Sequence, residues 1–167
     1  MRIGEKYYYN GLVSLSGFEQ FTALEHLVVT KCIEIHFDSL SQVGISTLSL
    51  HAETITLGEL PTCLRRVLIA RSRKTDLSVL GRSKVEELHL VDLSDIDFTQ
   101  ISSAKNLHTL RVQSILGMSG VEALCDLASL RSLCLRKSQY SADVVDTPSA
   151  LASVVDPQAK ISEKVFH

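Results

Sequence analysis

One spacing of aliphatic residues recurs along most of the chain. The pattern apolar-x-x-apolar-x-apolar occurs six times, and its first residues are 19 to 23 positions apart. The six matches are Leu24–Val29, Ile45–Leu50, Leu64–Ile69, Val85–Leu90, Leu107–Val112 and Leu130–Leu135. Because side chains alternate between the two faces of a strand, each match predicts one short strand with an apolar inner face. Such a repeat predicts parallel strands that stack on one another, since one unit cannot bury its own apolar face.

A second set of apolar residues lies between the predicted strands. Consecutive predicted strands are separated by only 13 to 17 residues, too few for a long helix with two loops at ~1.5 Å rise per residue. We therefore expect short 3₁₀ or single helical turns there. The clearest helical spacing predicts a helix from Val121 to Leu127, with Val121, Leu124, Cys125 and Leu127 on its buried side. The second apolar set comprises Phe18 and Phe21, Leu40 and Val43, Leu57 and Leu60, Leu77 and Leu80, Phe98 and Ile101, and Leu124 and Leu127.

The repeat resembles the leucine-rich repeat family over residues 12–138, and its short units are most similar to the SDS22-like branch. The resemblance implies an α/β solenoid of horseshoe shape, with a parallel sheet on the concave side and short 3₁₀ or helical segments on the convex side. Family members usually carry Asn three residues after the strand's last aliphatic residue, where its side chain bonds backbone in the turn. This chain lacks Asn there. The residues at that position are Cys32, Glu53, Ser72, Leu93, Ile115 and Ser138.

The repeats divide the chain into four segments. Residues 24–138 hold the six leucine-rich repeats, and residues 1–23 are predicted to form an N-terminal cap or a degenerate repeat. Tyr7–Tyr9 favours a cap that seals the end of the solenoid, with an aromatic binding patch as the alternative. Residues 139–156 resemble the C-terminal cap of short-repeat intracellular proteins, and 157–167 are predicted to be a tail. The cap resemblance rests on Tyr140, Val144, Val145, Pro148, Leu151, Val154 and Asp156.

Composition narrows the class of protein. Of the 167 residues, 45% are hydrophobic and 22% charged, which excludes a disordered chain. No apolar run approaches the ~20 residues that span a bilayer, and the first residues lack a secretory signal, so we expect no membrane partner and an intracellular location, cytoplasmic or nuclear. The four cysteines form no C-x-x-C pair, which fits a reducing compartment. A net charge of −2 provides no general attraction for nucleic acid.

Alternation along the strands defines a candidate binding face. The residue between the second and third aliphatic of each strand should point to the concave side, in a central column of Val28, Ser49, Leu68, His89, Arg111 and Cys134. The flanking column comprises Thr30, His51, Ala70, Val91, Gln113 and Arg136. This mixture of apolar and polar side chains is typical of protein interfaces. The candidate partner-binding residues are Val28, Leu68, Ala70, His89, Val91, Arg111 and Arg136.

The sequence offers no convincing catalytic or metal-binding group. Cys134 and His89 share a column but should lie two strands apart, roughly 10 Å at ~4.8 Å per strand, which is too far for a catalytic dyad. Histidines on different strands lack the carboxylate or cysteine that would complete a metal site: His26, His51, His89 and His108. The common nucleotide-binding and hydrolase motifs are absent. We therefore expect a non-enzyme without a cofactor, a metal or a small-molecule substrate.

Basic residues are concentrated in one part of the chain. Seven of the seventeen Lys and Arg residues fall between positions 65 and 84, and the next repeat is acidic. The 21-residue offset between these repeats predicts three ion pairs: Arg65–Glu86, Arg66–Glu87 and Arg71–Asp92. We interpret them as a structural ladder, with a bipolar docking surface as the alternative. Four cations without a predicted acidic neighbour could contact a phosphate or an acidic peptide: Arg73, Lys74, Arg82 and Lys84.

These observations favour a protein-protein interaction scaffold or adaptor that binds its partner on the concave sheet. One alternative is a ribonucleoprotein component that contacts RNA through the basic 65–84 cluster. The charge of −2 and the lack of aromatic residues in the concave columns argue against it. Another alternative is a fragment of a larger leucine-rich repeat adaptor or receptor, because solenoids are extended easily at either end.

Overall fold

The computed structural model describes residues 2–3, 9–14, 20–21, 23–37 and 40–136. Tyr7, Tyr8, Phe18, Ser138 and the predicted C-terminal cap and tail lie outside the described residues. The elements in chain order are β1 (Arg2–Ile3), β2 (Tyr9–Ser14), β3 (His26–His36), β4 (Thr47–Thr56), β5 (Arg66–Ala70), β6 (Lys74–Thr75), α1 (Ser78–Gly81), β7 (Glu87–Val91), β8 (Asp95–Asp97), a 3₁₀ helix (Phe98–Ile101), β9 (Thr109–Gln113), β10 (Gly117–Ser119), a second 3₁₀ helix (Val121–Asp126) and β11 (Ser132–Arg136).

The repeated aliphatic residues form one parallel sheet with the strand order β1-β3-β4-β5-β7-β9-β11. Equivalent residues of neighbouring repeats pair directly, so the second aliphatic of each repeat forms one row across the sheet. This row, which we call the buried ladder, comprises Leu27, Leu48, Val67, Leu88, Leu110 and Leu133. All six side chains are buried. The spacing of the repeats therefore fixes the register of the sheet, as predicted.

The segment before the first repeat also adds strands to this sheet. Arg2 pairs with Val28 through β1, and Val13 pairs with Ile35 through β2, so β1 and β2 lie against successive parts of the long strand β3. The boundaries of an N-terminal cap within residues 1–23 stay a prediction.

In the described part of the chain, a second row of strands follows the first in the first five repeats. The later residues of β3 pair with those of β4, β6 pairs with β4, and β10 pairs with β8, all in parallel. Ile55, Ile96 and Met118 point from these strands into the core and are buried. This second row was not predicted, although four of the five equivalent positions are apolar and Thr75 is the exception.

The chain turns a corner between the two rows of strands. Four residues at this corner have a left-handed backbone, although none is glycine: Lys31, Arg71, Asp92 and Ser114, with φ between 53° and 60°. The second repeat lacks such a residue, because it is one residue shorter at the corner and its register shifts opposite Val29–Cys32. Ala52 therefore pairs with Cys32 and is buried, whereas Glu53, which the repeat count placed there, is exposed.

The residues at this corner position replace the expected Asn with mostly apolar side chains. Cys32, Ala52, Leu93 and Ile115 are buried there. The polar exception is Ser72, only 2% exposed, whose Oγ lies 3.1 Å from the carbonyl oxygen of Glu53 and 2.9 Å from that of Lys74 and accepts a hydrogen bond from Thr75 Oγ1 at 2.7 Å. Its hydroxyl thus bonds backbone of its own repeat and the preceding one.

Short helical turns connect the strands, as the repeat length predicts. The segment expected to be a helix from Val121 to Leu127 is a 3₁₀ helix, Val121–Asp126. With three residues per turn, Val121 and Leu124 share one side and are buried, while Cys125 points outward and is exposed. The α-helical spacing had predicted a buried Cys125, and that prediction was wrong. No helix in the described part of the chain is long and apolar enough to cross a membrane.

Most of the second apolar set completes the core. Its members Leu40, Val43, Leu57, Leu77, Leu80, Phe98, Ile101, Leu124 and Leu127 are buried. Leu60 is partly buried against the core, and Phe21 is largely exposed. Phe98 begins its 3₁₀ helix and is among the largest fully buried side chains. The core therefore runs continuously through the stack between the strands and the connecting turns.

Candidate binding surface

The side chains opposite the buried ladder form three rows, which together we call the open sheet face. The central row is the predicted column of Val28, Ser49, Leu68, His89, Arg111 and Cys134, and strand pairing aligns all six in register. The row on the side of the strand starts comprises His26, Thr47, Arg66, Glu87, Thr109 and Ser132. The third row comprises His51, Ala70, Val91, Gln113 and Arg136 from β4 to β11.

The predicted partner-binding residues lie on this face. Val28, Leu68, His89 and Val91 are half-buried, and Arg111 and Arg136 are exposed. Ala70 was expected to be exposed on this face, but it is only 5% exposed. Its small side chain lies in register between those of His51 and Val91, so it adds almost no surface of its own.

Two of the three predicted ion pairs form. Arg65 Nε lies 3.1 Å from Glu86 Oε1, and Arg66 Nε lies 3.3 Å from Glu87 Oε1. These side chains are well exposed, so each pair contributes little stability, about 0.2–1 kcal/mol at most.

The third predicted pair is wrong. Arg71 and Asp92, both within the described residues, make no ion pair. Both have a left-handed backbone at the corner, with φ of 59° and 53°. The regular alternation that places neighbouring side chains opposite each other ends there. The series of ion pairs between the two repeats therefore ends where the strands end.

The four cations proposed for phosphate or acidic-peptide contact do not share one element. Arg73 was predicted to have no acidic neighbour, and that prediction was wrong. Its Nε lies 3.9 Å from Glu53 Oε2 of the preceding repeat. Lys74 begins β6, whereas Arg82 follows α1 and lines a groove of about 700 Å³ with Thr62, Ser78 and Val79. Lys84 is exposed in the segment between α1 and β7.

The open sheet face contains one serine-histidine contact that the sequence analysis missed. Ser49 Oγ lies 3.2 Å from His51 Nε2, because residues two apart on a strand share a face. Burial lowers the pKa of His51 below its ordinary value, and the charge of Arg71 acts in the same direction. Among the described residues no carboxylate contacts the His51 ring, so it lacks the group that orients the base in a catalytic triad. The signal that could have found this contact is Ser-x-His within a predicted strand.

A shallow depression of about 400 Å³ lies at the β7–β11 end of the face. Its lining includes His89, Arg111, Gln113, Ser132, Cys134 and Arg136. Burial lowers the pKa of His89, Arg111 and Arg66 lower it further, and Glu87 opposes them. This shift favours the neutral form of the ring. Arg111 and Arg136 are the cationic side chains among the described residues that line the depression. His89 and Cys134 lie two strands apart, as predicted.

The comparisons with known proteins agree with this geometry. No family model and no curated protein sequence matches the chain. Among solved structures, the chain is similar to internalin C2 of Listeria monocytogenes, with a TM-score of 0.55 and 20% identity over 89% of this chain and 74% of that one. It is also similar to the internalin inlF of the same bacterium, with a TM-score of 0.51 and 16% identity over 87% of this chain and 49% of that one.

Internalins are leucine-rich repeat proteins, and the likeness concerns the fold alone. The chain thus has the leucine-rich repeat solenoid fold, with a parallel sheet and short 3₁₀ or helical connections. The placement in the SDS22-like branch and the C-terminal cap at 139–156 stay predictions.

Proposed function

We propose that this protein is a non-catalytic intracellular interaction module that binds a partner protein on the open sheet face, on the concave side of the predicted horseshoe. The observation that carries the proposal is the central row, in which strand pairing holds apolar and polar side chains at fixed positions. Val28, Leu68 and Val91 offer apolar contact beside His89 and Arg111. Interfaces combine such groups, and a rigid surface loses little entropy on binding.

Leu68 is the central apolar contact in this proposal. It lies in the middle row between Ser49 and His89 and is half-buried, so part of its side chain faces solvent. A carboxylate in its place would have to be desolvated under a bound partner, which is costly without a cation opposite. Leu68→Glu should therefore reduce the amount of captured partner by ~10-fold or more.

The test is affinity capture from cell extract, divided into nuclease-treated and untreated halves. The matched control is Leu116→Glu, which makes the same change at a residue that is 67% exposed and outside the open sheet face. We expect a partner that survives nuclease, is lost with Leu68→Glu and is kept with Leu116→Glu, while circular dichroism of both variants stays unchanged. Partners that nuclease removes and Leu68→Glu retains would overturn the proposal in favour of RNA binding.

A further inference from the structure

Charged side chains are unevenly distributed over the open sheet face. In its middle, Arg66 on β5 is paired with Glu87 on β7, so the charges there cancel. At the β9–β11 end, Arg111 is exposed, and its in-register neighbours are His89 and Cys134. Among the described residues Arg111 makes no ion pair. The described residues at this end of the face therefore carry an excess of positive charge.

The excess charge coincides with the depression of about 400 Å³. Arg111 and Arg136 line it, and none of the described residues that form it is a carboxylate. Gln113 and Ser132 add neutral hydrogen-bonding groups, and Val91 adds an apolar wall. A concave site with the Arg111 guanidinium group and neutral hydrogen-bonding groups suits a planar carboxylate, which arginine binds through two parallel hydrogen bonds.

His89 gives a second indication that a polar group belongs in this depression. Its Nε2 is buried and has no hydrogen-bond partner among the described residues. A buried nitrogen without a partner is unfavourable. Because His89 lines the depression, a polar group that enters it could hydrogen-bond to the ring.

We propose that this depression binds a carboxylate side chain from an acidic segment of the partner protein, with Arg111 as its main charged contact. The proposal rests on the proposed function, since it names the chemistry of the partner at one end of the same face. A protein segment is favoured over RNA, because the three described rows contain no Phe, Tyr or Trp side chain on which bases could stack.

The test uses a fluorescein-labelled hexaglutamate peptide and fluorescence anisotropy at low salt. Arg111→Gln should weaken binding at least fivefold. Lys105→Gln removes the same charge from an exposed residue that does not line the depression and should change affinity less than twofold. Hexaglutamine should not bind measurably. Equal losses for the Arg111 and Lys105 variants would overturn the proposal, because they would show a general charge effect.

Two cysteines in the same chain provide an independent readout. Cys134 lines the depression, whereas Cys125 is exposed on the second 3₁₀ helix. Saturating hexaglutamate should slow alkylation of Cys134 several-fold and leave Cys125 unchanged. Equal alkylation of Cys134 with and without peptide would contradict the site. So would a hexauridylate that binds more tightly than hexaglutamate and depends equally on Arg111, since that result would define a phosphate site.

The peptide and capture experiments can fail separately. If Leu68→Glu abolishes partner capture but hexaglutamate binding is independent of Arg111, the protein-binding face stands and the carboxylate site is wrong. If hexaglutamate binding requires Arg111 but capture is insensitive to Leu68→Glu, the site binds acids and the proposed function is wrong.

Discussion

Replacing Phe98 with alanine should lower the free energy of unfolding by about 3–5 kcal/mol, the cost of removing a large side chain from a packed core. Phe98 is 1% exposed and packs in the continuous core at the start of its 3₁₀ helix. Since domains of this size are stable by only about 5–15 kcal/mol, this loss is a substantial fraction of the total stability. In a solenoid the cavity should also weaken the coupling between the repeats on either side.

Urea unfolding followed by circular dichroism measures this effect. We expect a lower midpoint for Phe98→Ala and a broader transition, because the stacks on either side of the cavity can then unfold separately. Leu116→Ala is the control, since Leu116 is 67% exposed and its truncation should change stability by about 0.5 kcal/mol or less. Similar midpoints for the two variants would show that Phe98 is not in the core.

Gly120→Ala should destabilise the protein by about 2–4 kcal/mol, combining a left-handed backbone penalty with the loss of a helix cap. Gly120 has φ of 62°, and an added Cβ would lie 2.7 Å from Thr99 Cγ2 and 2.8 Å from Asp97 Oδ1. That carboxylate oxygen caps the neighbouring 3₁₀ helix by accepting hydrogen bonds from Thr99 N at 3.0 Å and Thr99 Oγ1 at 2.6 Å. The new methyl group therefore pushes directly on the cap of the preceding repeat.

Thermal unfolding of two further variants tests the cause of the destabilisation that we expect for Gly120→Ala. Gly117→Ala should cost less, because the atom its Cβ meets first is the end of the exposed Asp95 side chain, which can rotate away. Thr99→Ser removes Cγ2 but keeps the hydroxyl, so it should partly rescue Gly120→Ala in the double variant. If Gly120→Ala is no worse than Gly117→Ala, the close contact between these repeats is wrong.

The register of the sheet could be predicted because one rule determines it: the inner apolar residues of each repeat pack on those of the next. The apolar spacing alone placed Val28, Leu68 and Arg111 in a single row, since every repeat contributes one strand whose inner residues must pack on those of the next. The same rule located two of the three ion pairs, which lie along this regular part of the repeat.

The corner after each strand could not be predicted from that rule. Its left-handed positions hold residues such as Lys31 and Asp92 rather than glycine, so composition gives no signal for them. The one-residue shortening of the second repeat moved Ala52 into the buried position that counting gave to Glu53. The ion pair predicted between Arg71 and Asp92 was wrong for the same reason, because the repeat offset does not determine side-chain direction at a corner.

The candidate site was predicted in position but not in detail. Alternation identified the face, yet the burial of Ala70 and the depression beside Arg111 depend on the sizes of neighbouring side chains. The Ser49–His51 contact depends on rotamers, which a spacing pattern does not contain. Sequence therefore defines which residues share the face, and packing defines which of them a partner can reach.

Site-specific photocrosslinking tests the central claim, that a protein partner sits on the open sheet face. Leu68→p-benzoylphenylalanine keeps an apolar group in the central row, and Leu116→p-benzoylphenylalanine is the comparison at a more exposed residue outside the face. In nuclease-treated extract we expect one discrete protein adduct at position 68 and none at position 116. Adducts that are absent at position 68, or that form at position 116 instead, would contradict the account, because random collision favours the more exposed residue.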